Sequence, residues 1–411
     1  MESNRRQFLR CGSGPFLMNL TGRESYFPPP DAAGGWRAAA DAAQVRKVAG
    51  MDVERLDQAF RYTATTSQHG GLAVVRNGWL VYERYFGRAA RDVTPNMYSV
   101  GKAVTSLCCG IMLNEQRGRI PKGLDQEVFT EAYLPEAFPL GDARQAGIKL
   151  GHLLTMTSGL REGNSGMVRG ELMKLEPMAQ GARLDQDQSA LRMPMWTAPG
   201  GGYSYTSQGV HVASMVLRRV SGMELQAYAE QKLARPMGFG GWGYALETAG
   251  GRLAHTPGGS GVALRATDAL RLGYLVLRDG RWGRQQLVPA EYVRQCRQPS
   301  SYNPHSPYSL QFEVNADGHV FGAPRDAFFK SGAGGFCLYA VPSLDLVVYK
   351  MASVRRRGET RYDLGFGGYS AKADEARENW TPAPADQFHD GPIDGDAGTR
   401  RTLEMVIAAI R

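Results

Sequence analysis

Cysteine is scarce in this 411-residue chain: there are five, an odd number, and two of them are adjacent at Cys108-Cys109. No C-x-x-C pair occurs and no spacing suggests a disulfide framework. The cysteines therefore read as small buried hydrophobes. Long apolar runs are missing as well. None approaches the roughly 18 residues of a membrane span, which excludes an integral helical membrane segment. There is no H-E-x-x-H and no clustered His/Cys set, so no metal is expected; His152 and His211 read as structural. One G-x-G-x-x-G match, Gly238–Gly243, follows a helical pattern and opens none, so no dinucleotide or other cofactor is expected. A G-x-S-x-G elbow is absent, which argues against an α/β-hydrolase.

What is present is the composition of a soluble globular protein with a formal net charge of +8. Arginine outnumbers lysine and is scattered, apart from Arg355-Arg356-Arg357. No basic block is interleaved with aromatics, so the charge reads as a solvated basic surface and not as a nucleic-acid site. The N-terminus, Ser3-Asn4-Arg5-Arg6-Gln7-Phe8-Leu9-Arg10, is similar to a twin-arginine export signal. That pattern implies a periplasmic or secreted protein. The apolar segment after it is interrupted by Gly12, Gly14, Pro15 and Asn19, and a cytoplasmic protein with an N-terminal tail is the alternative.

Composition divides the chain into a leader and linker over residues 1–48 and one domain over 49–411. The stretch 21–48 is rich in Pro, Gly and Ala, as a linker is. A helix is expected over Val53–Thr63. A hairpin follows, with Leu72–Arg76 and Trp79–Glu83 flanking Asn77-Gly78, a type I′ turn pair. Residues from about 99 to 300 are mostly helical in pattern, with expected helices at Ser99–Gln116, Leu150–Met156, Gly209–Ser221, Glu224–Leu233, Ala266–Leu277 and Pro289–Gln298. Strand signals return at Tyr308–Val314, His319–Phe321, Ala327–Ser331, Phe336–Val341 and Leu344–Met351. A last helix is expected over Thr399–Ile410. The economical arrangement is an α+β fold: one antiparallel sheet from both chain ends, terminal helices packed on it, and an inserted helical region. The polar stretch at about 354–395 is too long for an ordinary connection and reads as a surface insertion or loop.

Three stretches carry chemistry. In Ser99-Val100-Gly101-Lys102 a hydroxyl and an amine share one face of an otherwise apolar helix. No other lysine in the chain has a serine three residues before it. Serine needs a base within hydrogen-bond reach, and a lysine can be that base if burial lowers its pKa; a lysine snorkelling to the surface is the alternative. A helix N-terminus at Ser99 also aims free N–H groups at a developing oxyanion. In Pro199–Gly209, Tyr205 offers a phenol that can shuttle protons beside a lysine, and Ser207 a second hydroxyl. In Phe328–Phe336, Lys330-Ser331-Gly332 places a cation and a hydroxyl on a strand edge, where they can hold a substrate carboxylate. The backbone N–H of Ala333 can serve as a second oxyanion donor. The loop His255-Thr256-Pro257-Gly258-Gly259 ranks below Lys330 for this place, because Pro257 has no N–H to give; it reads as a glycine loop near the site.

The order S-x-x-K, then Y-x-[S/N], then K-[S/T]-G resembles the serine β-lactamase and penicillin-binding-protein superfamily. The match is closest to the class C β-lactamase-like branch, with its DD-peptidases, family VIII carboxylesterases and 6-aminohexanoate-dimer hydrolases. His152–Leu160 ("HLLTMTSGL"), Pro199–Gly209 and Thr256–Trp282 resemble further segments of that branch. The likeness covers about Met51–Met351 and the last helix. It implies a β-lactamase/transpeptidase-like fold and these roles. Ser99 is the acylated nucleophile, and Lys102 and Tyr205 share general-base and general-acid duty. Ser207, Lys330, Ser331 and Gly332 bind substrate, and the N–H groups of Ser99 and Ala333 form the oxyanion hole. Ser207 stands where typical β-lactamases carry an asparagine, and a hydroxyl is shorter and lacks the fixed amide pair. The expected protein is thus a serine hydrolase of a small ester, amide or peptide, with a carboxylate on the substrate compatible with Lys330. It is an esterase or amidase/peptidase before a true β-lactamase. A penicillin-recognising protein without turnover, or a cell-wall scaffold, are the readings from other classes.

Overall fold

The computed structural model describes residues 26–353 and 397–411, apart from positions 68, 88, 177–184, 245 and 249–250. The leader and the polar stretch expected at 354–395 lie outside the described residues. Seven strands form the main sheet: β1 (Gly70–Arg76), β2 (Trp79–Phe86), β3 (Tyr308–Ser309), β4 (Phe312–Val314), β5 (Phe328–Gly332), β6 (Phe336–Val341) and β7 (Leu346–Met351). Their order is β3-β4-β5-β6-β7-β1-β2, with every pair antiparallel. The N-terminal hairpin is thus an addition to the edge of a sheet made by the C-terminal part of the chain. The turn between β1 and β2 has positive φ at both Asn77 (54°) and Gly78 (73°), as a type I′ turn requires.

Strands β1, β6 and β7 are almost wholly apolar because both faces of the sheet are covered. Side chains alternate across the pleat. Leu72 and Val74 of β1 belong to one core, with Val348 and Tyr339; Ala73 and Val75 belong to the other, with Val347 and Leu338. The first core lies under two terminal helices, α1 (Val53–Thr65) and a C-terminal helix (Ala397–Ala408), which pack on each other. Asp52 caps α1 by accepting from the N–H of Glu54 at 3.0 Å. The second core lies under Ala266–Leu277 and the helical region, whose centre is α2 (Gly101–Glu115) against α3 (Ser207–Ser221). Every residue of α2 from Gly101 to Met112 is buried, which explains why its apolar residues leave no polar face.

Two expectations change. Residues 26–49 are not a linker. Trp36 is 3% exposed and its indole N–H donates to the Thr267 carbonyl at 3.1 Å. Arg271, fully buried, reaches from Ala266–Leu277 to Asp31 at 2.7 Å, and Ala42–Ala49 is a helix. Local Pro/Gly composition does not register partners more than two hundred residues away. Secondly, Tyr308–Val314 is not one strand, and His319–Phe321 is none. Leu310 (φ 38°) and Gln311 (φ 71°) break the first. Gln311 is held there by tertiary bonds: its side-chain amide donates to the Leu154 carbonyl at 2.9 Å and accepts from Tyr308 at 2.8 Å. Among the described residues no helix is long and apolar enough to cross a membrane.

Candidate active site

Ser99 sits in a 3-10 turn, Tyr98–Val100, that runs directly into α2. Tyr98 has φ 50°, a left-handed conformation that a bulky residue adopts only when its surroundings impose it. Its N–H donates to Asn96 at 2.9 Å, and its ring packs against Phe336 of β6. The turn presents Ser99, 8% exposed, at the N-terminal end of the buried helix.

One helical turn on, Lys102 is fully buried, with Nζ 2.7 Å from Ser99 Oγ and 3.1 Å from Ser207 Oγ. The snorkelling alternative is therefore excluded. Burial above all, and then the positive charge of Lys330, push the amine well below the ordinary lysine value; the Glu162 carboxylate works the other way. Ser207 is the first residue of α3, whose start is capped by Thr206 accepting from Gly209 N–H at 3.1 Å. Its side chain is turned to Lys102. Glu162 accepts the Ser207 N–H at 2.5 Å, placing a carboxylate at the positive end of α3.

Tyr205 stands between two amines. Lys102 Nζ is 4.9 Å and Lys330 Nζ 5.0 Å from its ring centre, and Lys330 Nζ is 3.4 Å from its hydroxyl. Lys330 itself, fully buried on β5, also donates to the Tyr308 hydroxyl at 2.9 Å. Ser99, Lys102, Tyr205 and Lys330, spread over more than two hundred positions, thus meet in one place. The strand end meets them too: a Cβ on Gly332 would lie 2.4 Å from the Met97 carbonyl and 3.2 Å from Val100 N. Only a glycine lets β5 abut the nucleophile turn this closely. Ala333 follows, in a turn with Gly334 (φ 78°) and Gly335 (φ 89°). The buried Lys350 props that turn by donating to the Gly335 carbonyl at 2.6 Å.

The Ser331 hydroxyl donates to Glu313 of β4 at 2.6 Å, so a resident carboxylate stands beside the cation and hydroxyl expected to hold a substrate's. The glycine loop Gly258-Gly259 lies where expected, against the site. A Cβ on Gly259 would meet the Ser207 carbonyl at 2.1 Å, and the Gly258 carbonyl accepts from Thr105 at 2.6 Å. His211 is structural: Nε2 is 2.8 Å from Asp187, and Nδ1 accepts the Gly258 N–H at 3.2 Å. His152, brought down to about 4 by burial and then by Lys149, accepts the Lys149 N–H.

Sequence reasoning missed Glu162, Tyr308, Glu313 and Lys350. Only Lys350, a charge within the apolar run Leu346–Met351, left a signal of its own; Glu313 falls on the polar side of an alternating pattern. A cleft of about 380 Å³ opens beside Tyr205, bordered by Tyr203, Tyr308 and Glu313. A larger cleft, about 570 Å³ near Glu224 and His255, is lined by none of the four converging residues.

Known proteins share this fold. No curated protein matches the chain by sequence. The fold is shared with a candidate β-lactamase of Bacteroides dorei DSM 17855 (18% identity, 87% of this chain and 96% of that one, TM-score 0.59). It is shared with a candidate 6-aminohexanoate-dimer hydrolase of Bacillus anthracis (17%, 85% and 87%, TM-score 0.57). EstCE1, a hydrolase with promiscuous acyltransferase activity, is similar to the same degree (18%, 78% and 96%, TM-score 0.57). The Beta-lactamase family model matches residues 56–368, most of the chain and all four converging side chains. The chain belongs to the β-lactamase family of serine hydrolases.

Proposed function

We propose that the protein cleaves ester or amide bonds through an acyl-enzyme on Ser99, as an esterase or amidase/peptidase before a true β-lactamase. The observation that carries this reading is the buried pair, Lys102 Nζ 2.7 Å from Ser99 Oγ. An amine held below its ordinary pKa accepts the serine proton as Oγ attacks the carbonyl carbon. The N–H groups of Ser99 and Ala333 receive the developing oxyanion. Tyr205 passes the proton on to the leaving group as its bond to the carbonyl carbon breaks, and Lys330 keeps a positive field at the phenol. Water then enters where the leaving group was, and the same groups work in reverse to release the acid. Ser207 supports an esterase or amidase, since its hydroxyl attends Lys102 and offers no amide pair to a substrate.

A fluorophosphonate probe and short-chain p-nitrophenyl esters test the reading. Wild-type protein is expected to be labelled and to turn over esters, and Ser99→Ala to lose both. Labelling and turnover by Ser99→Ala at the parent's level overturn the mechanism. Nitrocefin turnover comparable to ester turnover reverses the ranking of substrates. We also propose export by the twin-arginine route, supported by Arg5-Arg6 and Phe8-Leu9. In a bacterial host, replacing both arginines by lysine is expected to retain the protein in the cytoplasm on fractionation. Unaltered export refutes this route.

A further inference from the structure

We propose that Glu313 sets the leaving-group specificity of the site: it rejects a leaving group that carries a carboxylate and favours one that carries an ammonium group. This rests on the acyl-enzyme reading above, in which Tyr205 protonates the leaving group. The cleft of about 380 Å³ is lined by Tyr205, the proton donor, and not by Ser99 or Lys102. It therefore lies on the leaving-group side of the scissile bond.

A serine hydroxyl has one proton to give. That of Ser331, on a side chain 7% exposed, is given to Glu313 Oε1 at 2.6 Å. A substrate carboxylate seeking the same hydroxyl would have to displace Glu313, and would then stand about 5 Å from it, given a hydrogen bond of ordinary length on each side. Two like charges so close in a half-buried site repel strongly. The other charged groups at the cleft are Asp317, His319 and Arg400. His319 Nδ1 is 2.6 Å from Asp317. Glu313 and Asp317 are the two carboxylates, set against the Arg400 guanidinium and the buried Lys330 ammonium behind the Tyr205 and Tyr308 rings.

The aromatic lining points the same way. Tyr203 and Tyr205 flank Tyr308, with ring centres 5.6 Å and 6.4 Å from it. Three tyrosine rings beside a carboxylate suit an ammonium ion, which gains from ring faces and from charge together. Lys330 makes such contacts with Tyr205 and Tyr308 from within the protein, so two of the three rings already lie under a cation of the chain's own.

The test uses three butyrate esters: of choline, of its neutral isostere 3,3-dimethylbutan-1-ol, and of 4-hydroxybutanoate. Initial rates are followed by acid release in a pH-stat, with Ser99→Ala as blank. For wild-type protein kcat/KM is expected to be about tenfold higher for the choline ester than for the neutral one, and about tenfold lower for the anionic ester. In Glu313→Gln, whose amide oxygen still accepts from Ser331, both ratios are expected to shrink toward one. An anionic ester cleaved as well as the neutral one by wild-type protein overturns the assignment, and so do ratios unmoved by Glu313→Gln. The wild-type ranking stands as a test even if the variant does not fold. Absence of Ser99-dependent turnover of all three esters overturns the acyl-enzyme reading and this assignment together. Turnover with the wrong ranking overturns the assignment alone.

Discussion

Gly332→Ala isolates the geometry on which the site depends. Gly332 has φ −144° and ψ 158°, an extended conformation open to any residue, so alanine adds no backbone strain. It adds one methyl group. Built on the strand, that carbon lies 2.4 Å from the Met97 carbonyl and 3.1 Å from Val100 Cγ2, whereas ordinary contact begins at 3.4 Å. The strand end and the nucleophile turn must therefore part by about 1 Å. Overpacking of this kind costs about 1–3 kcal/mol of stability. A displacement of about 1 Å between reacting groups costs about a hundredfold in rate. Between them these separate folding from function: Tm falls by several degrees, while kcat/KM for a p-nitrophenyl ester, measured well below the melting transition, falls about a hundredfold. Phosphonate labelling of Ser99 slows in parallel, because the segment that carries the Ala333 N–H moves away from the nucleophile turn. A variant with kcat/KM within about threefold of wild type would refute the argument that the close approach of β5 to the turn assembles the site.

Three further outcomes are expected. Tyr205→Phe removes the hydroxyl 3.4 Å from Lys330 Nζ and lowers kcat/KM by about 10²–10⁴ with Tm nearly unchanged; turnover close to wild type removes Tyr205 from the proton path. The pH profile of kcat/KM carries an acid limb belonging to Lys102. The base acts unprotonated, so activity falls as pH drops through its lowered pKa, and the limb lies well below 10.5; a limb centred near the ordinary lysine value contradicts the buried-base reading. Trp36→Ala, at a side chain 3% exposed, costs about 3–5 kcal/mol in urea unfolding; an unchanged midpoint makes residues 26–49 an appendage.

Legibility followed the range of the interactions involved. Ala266–Leu277 and Phe336–Val341 fall where apolar pattern and turn residues put them, because each buries a surface its own sequence declares. The Asn77-Gly78 hairpin is read from two residues whose backbone preference is local. The break at Leu310-Gln311 is not legible, since the bonds of Gln311 to Leu154 and Tyr308 override a strand pattern. Trp36 and Asp31 belong to the core only through partners on Ala266–Leu277.

The site divides along the same line. By itself the sequence determined the reactive groups and their order: Ser99 with Lys102 one helical turn on, Tyr205 after a glycine turn, Lys330 on a strand ahead of two glycines. Side-chain chemistry and helix periodicity are properties of a few adjacent residues, so they can be read from them. Tertiary structure alone decided how those groups are used. It buried Lys102, which lowers its proton affinity; it turned Ser207 onto that amine and set Tyr205 between two lysines. It also brought Glu313 onto Ser331. Desolvation and charge proximity are fixed by what folds against a residue, and those partners lie on other strands and helices.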